Sequence, residues 1–522
     1  MIVPLVFSIF CCILHVFLMS NVLGSSCSTL SSPTLMIQRK ALSDPILKVC
    51  KSEIPNQIKS MIENFPATFA VRVVMNQTME LFDYNSDPFF QPASNNKLLT
   101  TIAALNQLGS KFRFQTTFYY DYKQKSVVVR PMGDPTLTFE KLKIEIKGVL
   151  QQLNTESVEQ IIVDNSFFNP IPFTNDGDFN FPSSWEWGNM QYTFSALPSS
   201  CSLEHNIFNF NVKAGTKVGD ALIATIDDKT FEFAIPILQF DTTFTRTMNC
   251  SGGNNNKQQE TVNAFYRPLD RKVIVRGQLC TSSISPQSLT ILDPDEFFVQ
   301  AVKFISNKPV TLTYLSDEQR ANMFSFSKDT IYSDNILRIM NTTLQESDNT
   351  YAELFLRQIG AFLKPSDSLT PFPSITQRGI QMVKNILTSA PYNLSPNTFF
   401  QDDGSGLSRH NLVSARSLVD ALVGVYYKGA GGVGGEVYKS LLPLGGVSGT
   451  LKNRFKNFPG IVSAKTGSLD GVSSLSGYIR NERFKDPIIF SIIVNQCPLS
   501  ASQMHQIIDS IVILYAFMNP DC

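Results

Sequence analysis

The sequence predicts an α+β protein in which helical segments near both ends of the chain flank a long block of short strands. Runs of helical period occur before residue 112 and after residue 303, and short β-branched runs separated by turn-forming residues fill 112–303. Two further segments near the C-terminus have strand character. Hydrophobic residues make up 43% and charged residues 17% of the chain, which indicates a globular composition.

The first segment, residues 1–24, is apolar and contains neither Lys nor Arg. An apolar run followed by small residues predicts either a cleaved signal peptide or an uncleaved N-terminal anchor. Both alternatives export the rest of the chain, so we expect a secreted or periplasmic protein. Membrane contact is expected only through this segment, if it is uncleaved.

Local patterns then place the secondary structure in chain order. In the segment that starts at Lys97, for example, Leu98, Ile102 and Leu105 recur at helical spacing and Gly109 can end the helix. Turn clusters such as Gly252–Asn256 separate the strands of the middle block. Helices are predicted at Ile54–Phe65, Lys97–Leu108, Asn335–Leu344, Thr350–Leu363, Ser374–Leu387, Asn411–Tyr427 and Met504–Phe517. Strands are predicted at Phe69–Met75, Thr116–Tyr122, Ser126–Val129, Ile161–Asp164, Leu222–Ile226, Phe231–Ile237, Lys272–Arg276, Ile461–Ala464, Val472–Arg480 and Pro487–Gln496.

Composition and spacing exclude several classes of function. Lys+Arg and Asp+Glu both number 44, which argues against a large basic surface for nucleic acid. Neither a metal site nor a cofactor is predicted, because the cysteines lack zinc spacing and Gly429–Gly435 lacks phosphate-loop spacing. The GxSxG pattern of a Ser-His-Asp hydrolase fails around Ser405. Among the cysteines we expect Cys250 to pair with Cys280, since both flank one segment.

The first motif that can carry chemistry is Ser94-Asn95-Asn96-Lys97, of the form SxxK. A three-residue offset on a helix places Ser94 and Lys97 on one face. A serine hydroxyl needs a base to take its proton, and a lysine can be that base if burial or a nearby cation lowers its pKa. The sequence has a second copy, Ser325-Phe326-Ser327-Lys328, but no amphipathic helix follows it, so we favour the first copy.

Two further motifs follow. Ser347-Asp348-Asn349 is an SxN triplet with a rival, Ser333-Asp334-Asn335, and either could be a helix N-cap. We favour the later triplet, because it lies in a short connection between two helical segments, and we interpret the earlier one as an N-cap. The third motif, Lys465-Thr466-Gly467-Ser468, is the only KTG in the chain and follows a short strand. Gly467 would let a substrate backbone approach closely.

The order SxxK, SxN, KTG is that of the serine β-lactamase and penicillin-binding superfamily. On these motifs the chain resembles the low-molecular-mass class C penicillin-binding proteins of the penicillin-binding protein 4 type, which are D-alanyl-D-alanine carboxypeptidase/endopeptidases. Four further stretches support the resemblance: Met132–Leu137, Asp403–Arg409, Gly449–Phe455 and Ser463–Leu469. We interpret Asp403–Arg409 as a Gly-rich turn held by the Asp403 carboxylate and the Arg409 guanidinium, with a loop that shapes the cleft as the alternative.

The resemblance implies a transpeptidase-like domain with an antiparallel sheet flanked by helices. Residues 28–111 and 304–522 would form it, and 112–303 would be a β-rich inserted region with two subdomains. The expected activity is a penicillin-sensitive D-Ala-D-Ala carboxypeptidase/endopeptidase acting on peptidoglycan stem peptides, with β-lactams as covalent inhibitors. The alternatives are a β-lactamase- or esterase-like serine hydrolase of the same superfamily, and a non-catalytic peptide-binding homologue.

The resemblance also implies a role for each motif residue. The implied catalytic residues are Ser94 as nucleophile, Lys97 as its base, Ser347 and Lys465 as a proton relay, and Asn349 as a substrate-orienting group. The implied substrate-binding residues are Thr466, Gly467 and Ser468, and backbone N–H groups of Ser94 and Ser468 would form the oxyanion hole.

Overall fold

The computed structural model describes residues 49–168, 182–250, 260–267, 272–363 and 374–522. The predicted leader 1–24 and the predicted turn Gly252–Asn256 lie outside these ranges. Two compact units divide the chain: the smaller contains the described residues up to Phe65 together with His505–Cys522, and the larger is Pro66–Met504. Over the described ranges, none of the helices combines the length and the apolar character needed to cross a membrane.

Helices and strands alternate along most of the described chain. The α-helices are α1 (Ile54–Glu63), α2 (Asn96–Leu108), α3 (Phe139–Gln152), α4 (Pro294–Ser306), α5 (Asp317–Ala321), α6 (Ile336–Gln345), α7 (Asn349–Gly360), α8 (Ile375–Thr388), α9 (Ala415–Lys428), α10 (Gly435–Ser440) and α11 (Ala501–Ala516). The strands are β1 (Val49–Cys50), β2 (Thr68–Met75), β3 (Met79–Tyr84), β4 (Gln115–Asp121), β5 (Ser126–Pro131), β6 (Gln160–Asp164), β7 (Ile207–Lys213), β8 (Ile223–Thr225), β9 (Phe240–Met248), β10 (Thr261–Tyr266), β11 (Val273–Cys280), β12 (Ile284–Thr290), β13 (Val310–Thr313), β14 (Phe324–Ser325), β15 (Ile331–Tyr332), β16 (Phe399–Phe400), β17 (Leu412–Val413), β18 (Val462–Leu469), β19 (Val472–Ile479), β20 (Ile488–Asn495) and β21 (Met518–Asn519).

The smaller unit joins the start of the described chain to its end. Strand β1 pairs in parallel with β21, and a disulfide between Cys50 and Cys522 links the same two segments. In α1, Ile54, Ile58 and Ile62 are buried at four-residue spacing, which is the helical stripe expected for a surface helix. The predicted helix at Ile54–Phe65 is therefore confirmed, apart from its last turn.

The larger unit contains a five-stranded antiparallel sheet in the order β18-β19-β20-β2-β3. Strands β19 and β20 are buried along their whole length, because both are central in the sheet. Helix α9 packs against β20 and β2, and α2, α7 and α8 extend the same core. Leu98, Phe355, Leu422 and Ile493 meet in this core with no exposed surface. An antiparallel sheet flanked by helices confirms the predicted fold class.

Three other sheets and a second core occupy the middle of the larger unit. The sheets are β13-β6-β5-β4-β14 with β15 also on β4, then β10-β11-β9, and β12-β7-β8. Phe208, Phe297 and Val275 are fully buried in the second core. Strand β13 lies after residue 303 and pairs with β6, so one sheet contains chain from both sides of the predicted boundary. The predicted domain division stays a prediction.

Two predicted features of the middle block differ from the structure. Phe231–Ile237 was expected to be a strand and is a 3₁₀ helix, Lys229–Ile237, in which the Asp228 side chain accepts a hydrogen bond from Thr230 N at the start. Helix α3 occurs where only strands were expected, with Leu142, Ile146 and Val149 buried at helical spacing. Capping and helical period outweigh local strand propensity at both places. The predicted pairing of Cys250 with Cys280 is confirmed.

Candidate active site

The structure places Ser94 and Lys97 together at the start of α2. Ser94 lies in a 3₁₀ turn, Ala93–Asn95, that leads directly into the helix, and its side chain is half-buried. Lys97 is fully buried, and its Nζ lies 2.9 Å from Ser94 Oγ. Lys97 Nζ also donates to Asn349 Oδ1 at 2.5 Å and to the Ser405 carbonyl at 2.7 Å. These three acceptors, one of which is the Ser94 hydroxyl itself, fix the position of the Lys97 amine.

Burial lowers the pKa of Lys97 to about 8, while the carboxylates of Asp403, Glu353 and Asp348 act in the opposite direction. Desolvation disfavours the ammonium form and nearby negative charge favours it, so the first effect is the larger one here. A lysine with a pKa of about 8 is partly neutral at physiological pH and can accept the proton of a neighbouring hydroxyl. The sequence analysis required that the pKa of Lys97 be lowered if this lysine is to act as the base, and the structure meets that requirement.

Ser347 and Lys465 form a second serine–lysine pair. Ser347 lies between α6 and α7 with a left-handed backbone (φ +63°), and Lys465 is fully buried in β18. Lys465 Nζ donates to Ser347 Oγ at 2.8 Å and to the Thr466 carbonyl at 2.7 Å. Burial, and then the positive charge of Lys97, lower the pKa of Lys465 well below its usual value. The pair is suited to passing a proton.

Asn349 forms hydrogen bonds both to Lys97 and to the backbone of the middle block of the chain. It is the first residue of α7, and the preceding Asp348 caps that helix by accepting from Tyr351 N at 2.8 Å. Asn349 Oδ1 accepts from Lys97, and its Nδ2 donates to the Phe194 carbonyl at 2.7 Å. Because Asp348 provides the cap, the Asn349 amide is available to the site.

The KTG motif lies on β18, the edge strand of the five-stranded sheet. A Cβ atom on Gly467 would lie 2.7 Å from the Pro92 carbonyl and 2.9 Å from Ser94 N, so glycine lets the strand pack against the Ser94 turn. Ser468 is exposed, and the hydroxyls of Thr466 and Thr450 lie 2.7 Å apart. Thr450 belongs to the stretch Gly449–Phe455, to which the sequence analysis assigned no role in the site.

The loop that begins at Asp403 contacts Lys97 through the Ser405 carbonyl. The buried Asp403 carboxylate accepts from Gly406 N, Ser408 N, Asn411 Nδ2 and Trp185 Nε1, so it holds the turn as predicted. The Arg409 guanidinium does not hold this turn: it donates to Glu186 and to the Asp470 carbonyl, outside the loop. The contact of the Ser405 carbonyl with Lys97 was not predicted, since a backbone group leaves no signal in a sequence motif.

Comparisons with known proteins identify the family to which the chain belongs. The model of the D-Ala-D-Ala carboxypeptidase 3 (S13) family matches residues 56–517. The penicillin-sensitive carboxypeptidase A of Dictyostelium discoideum is 31% identical over 459 residues, which cover 83% of each chain. The D-alanyl-D-alanine carboxypeptidase DacB of Haemophilus influenzae is 24% identical over 438 residues, 78% of this chain and 81% of that one.

A solved structure confirms the predicted penicillin-binding fold. The crystal structure of penicillin-binding protein 4 from Haemophilus influenzae aligns with a TM-score of 0.68 at 20% identity, over 89% of this chain and 99% of that chain. At this identity the likeness shows the fold, and the family match shows the class of enzyme. The predicted resemblance and the predicted serine-type peptidase are both confirmed. The chain belongs to the D-Ala-D-Ala carboxypeptidase 3 (S13) family.

Proposed function

We propose that this protein is a serine-type D-Ala-D-Ala carboxypeptidase/endopeptidase that acts on peptidoglycan stem peptides through an acyl-enzyme on Ser94. The observation that carries the proposal is the buried Lys97 amine, which lies 2.9 Å from Ser94 Oγ and has a lowered pKa. The family match and the names of the relatives support the substrate class. Penicillin sensitivity is supported by the name of the Dictyostelium relative.

Acylation follows from the positions of three groups. Neutral Lys97 takes the proton of Ser94 Oγ, which attacks the carbonyl carbon between the two D-alanines. The oxyanion that forms accepts hydrogen bonds from the backbone N–H groups of Ser94 and Ser468. One such donor typically contributes about 3 kcal/mol to transition-state stabilisation. Asn349 orients the peptide group of the acyl donor through its amide.

Departure of the terminal residue needs a proton on its nitrogen. The C–N bond breaks as the Ser347 hydroxyl, which is hydrogen-bonded to Lys465, passes a proton to the amine of the leaving D-alanine. Lys465 and Thr466 bind the carboxylate of that residue, and Gly467 keeps the strand close to Ser94. Water then cleaves the ester and restores the Ser94 hydroxyl. β-Lactams acylate Ser94 in the same way, because their ring amide presents an equivalent carbonyl.

We also propose that the protein acts outside the cytoplasm and that residues 112–303 form an inserted region on the catalytic domain. Two sheets, β10-β11-β9 and β12-β7-β8, consist only of strands within that range. N-terminal sequencing of the exported protein tests the leader, since a start near residue 25 is expected for cleavage and an intact Met1 would mean an anchor. Limited proteolysis tests the insertion: cleavage in the connections that follow α2 and α4 is expected, and cuts scattered elsewhere would contradict it.

The enzymatic proposal is tested by the intact mass of the protein after incubation with benzylpenicillin. The wild type should gain one penicilloyl group, and Ser94→Ala should gain none while keeping its thermal unfolding transition. A D-Ala-D-Ala peptide incubated with each protein should release free D-alanine only with the wild type. A folded wild type that forms no adduct and releases no D-alanine would overturn the proposal.

A further inference from the structure

A buried carboxylate lies near Lys97, the lysine that we propose as the base, on the far side of the loop that contacts it. Glu353 lies on α7, one helical turn after Asn349, and is 1% exposed. Both of its carboxylate oxygens accept from Gly404 N, at 3.0 and 3.1 Å, and one accepts from Ser405 N at 2.8 Å. The carbonyl of the same Ser405 accepts from Lys97 Nζ at 2.7 Å. Glu353 thus holds the residue whose carbonyl contacts the base.

The loop that begins at Asp403 packs tightly on α7, the helix that carries Glu353. A Cβ atom on Gly404 would lie 2.8 Å from the Ala352 carbonyl, so the loop backbone lies directly on the helix. The N–H groups of Gly404 and Ser405 both point at the Glu353 carboxylate, while Asp403 accepts other N–H groups of the loop. Charged acceptors for backbone N–H groups form stronger hydrogen bonds than neutral ones.

The charges that act on Lys97 come from three neighbouring parts of the chain: the Asp403 loop, the start of α7 and strand β18. Asp403 faces it from the loop, Glu353 from α7, Asp348 from the residue before α7, and Lys465 from β18. Burial, followed by the charge of Asp403, raises the pKa of Glu353, and the hydrogen bonds from Ser405 and Gly404 together with the charge of Arg357 act in the opposite direction. The negative charge of the ionised Glu353 carboxylate favours the ammonium form of Lys97.

We propose that Glu353 is a positioning residue for Lys97: its carboxylate fixes the Ser405 carbonyl against the amine and supplies one of the negative charges that surround it. The inference rests on the proposed function, because it requires Lys97 to be the base that activates Ser94. Glu353 touches neither Ser94 nor the proposed path of the substrate. Its effect passes through Ser405 and through the electrostatic field at Lys97.

Two substitutions separate the hydrogen bonds from the charge. Glu353→Gln keeps an oxygen acceptor and removes the charge, whereas Glu353→Asp keeps the charge and withdraws the acceptor by one methylene. Glu346→Gln is the matched control, since this exposed carboxylate ends α6 just before Ser347. The second-order rate of acylation by benzylpenicillin is measured for each protein from about pH 6 to about pH 10, a range that brackets the titration of Lys97.

The two variants should change different features of the pH profile. Glu353→Gln should move the midpoint of its acid limb to lower pH by about one unit, because Lys97 loses a stabilising negative charge. Glu353→Asp should keep the wild-type midpoint and lower the plateau rate about tenfold, because the Ser405 carbonyl is misplaced. Glu346→Gln should match the wild type in both.

An unchanged midpoint in Glu353→Gln, or an equal shift in Glu346→Gln, would overturn the inference while leaving the proposed function intact. If Glu353→Gln does not fold, Glu353→Asp decides, and an unchanged plateau rate in that variant overturns the inference. Failure of the proposed function looks different, because the wild type itself would then form no penicilloyl adduct at any pH.

Discussion

Two regions of the chain carry the same pair of motifs, and only one of them brings the motifs together in a buried site. Lys97 is fully buried, and Ser94 lies half-buried at the start of a helix. In the second region Ser325 lies exposed on β14, and Lys328 lies exposed in a 3₁₀ turn. The SxxK sequence pattern is the same in both places, but burial is what lowers the pKa of a lysine enough for it to act as a base.

The two SxN triplets differ by one residue in the position of the helix cap. In Ser333-Asp334-Asn335 the third residue is the cap, with Asn335 Oδ1 accepting from Arg338 N at 3.0 Å. In Ser347-Asp348-Asn349 the second residue is the cap, so the asparagine is the first helical residue and its amide contacts Lys97. A one-residue change in where a helix starts therefore separates a structural asparagine from one in the candidate site.

The largest expected difference between the two regions concerns their lysines. Lys97→Met keeps the buried volume but removes the base, so we expect acylation by benzylpenicillin to slow about 10³-fold. Lys328→Met removes an exposed lysine and should leave the rate unchanged. Time-resolved intact-mass spectrometry measures both. Equal rates for the two variants would remove Lys97 from the mechanism and the distinction between the regions with it.

The two asparagines should separate activity from stability. Asn349→Ala removes the amide that contacts Lys97, and acylation should slow about 10²-fold. Asn335→Ala removes a helix cap and should lower the free energy of unfolding by about 1 kcal/mol with no effect on acylation. Acylation rates and urea unfolding of both variants test the pair. A slower acylation in a folded Asn335→Ala protein would contradict the comparison.

The pH dependence of the wild type sharpens the contrast further. The pKa of Lys97 is lowered to about 8, so the lysine is protonated below that pH and cannot take the Ser94 proton. The acylation rate should therefore rise with pH, about tenfold per unit below the midpoint, and level off above it. Stopped-flow measurements with a chromogenic β-lactam give the profile. A rate independent of pH from about 6 to about 8 would mean that another group is the base.

The motifs were predictable because each depends on local sequence. The helix after Ser94 was visible as apolar periodicity, and the connection that contains Ser347 was visible as a break between two helical segments. These signals favoured the copies of the motifs that the structure brings together. Strand β20 was predictable as a nearly continuous apolar run, since both of its faces are buried. Strand β19 is equally buried but contains three serines, so its apolar signal is weaker. Helix α3 was missed because its buried stripe alternates with charged residues inside a block of strands.

The rest of the site could not be predicted, because it depends on contacts between distant parts of the chain. The Ser405 carbonyl meets Lys97 across 308 residues of sequence, and Asn349 Oδ1 meets it across 252. Glu353 and Asp403 are buried carboxylates that accept hydrogen bonds from backbone N–H groups of one loop. No spacing rule predicts such partners. The sequence pattern Ala352-Glu353 after Ser347-Asp348-Asn349 supported the family resemblance, but it gave Glu353 no role.

The smallest expected effects come from one hydroxyl contact in each region. The hydroxyls of Thr450 and Thr466 are in contact at the partly exposed rim of the site. Thr450→Val should raise KM about fivefold with kcat unchanged, because one hydrogen bond near the substrate carboxylate is lost.

In the other region Ser333 Oγ accepts from the buried Phe114 N at 2.9 Å. Ser333→Ala should lower the free energy of unfolding by about 2 kcal/mol and leave KM unchanged, because it leaves that N–H unpaired. Steady-state D-alanine release and urea unfolding distinguish the two. A change in KM for Ser333→Ala would mean that the second region takes part in substrate binding after all.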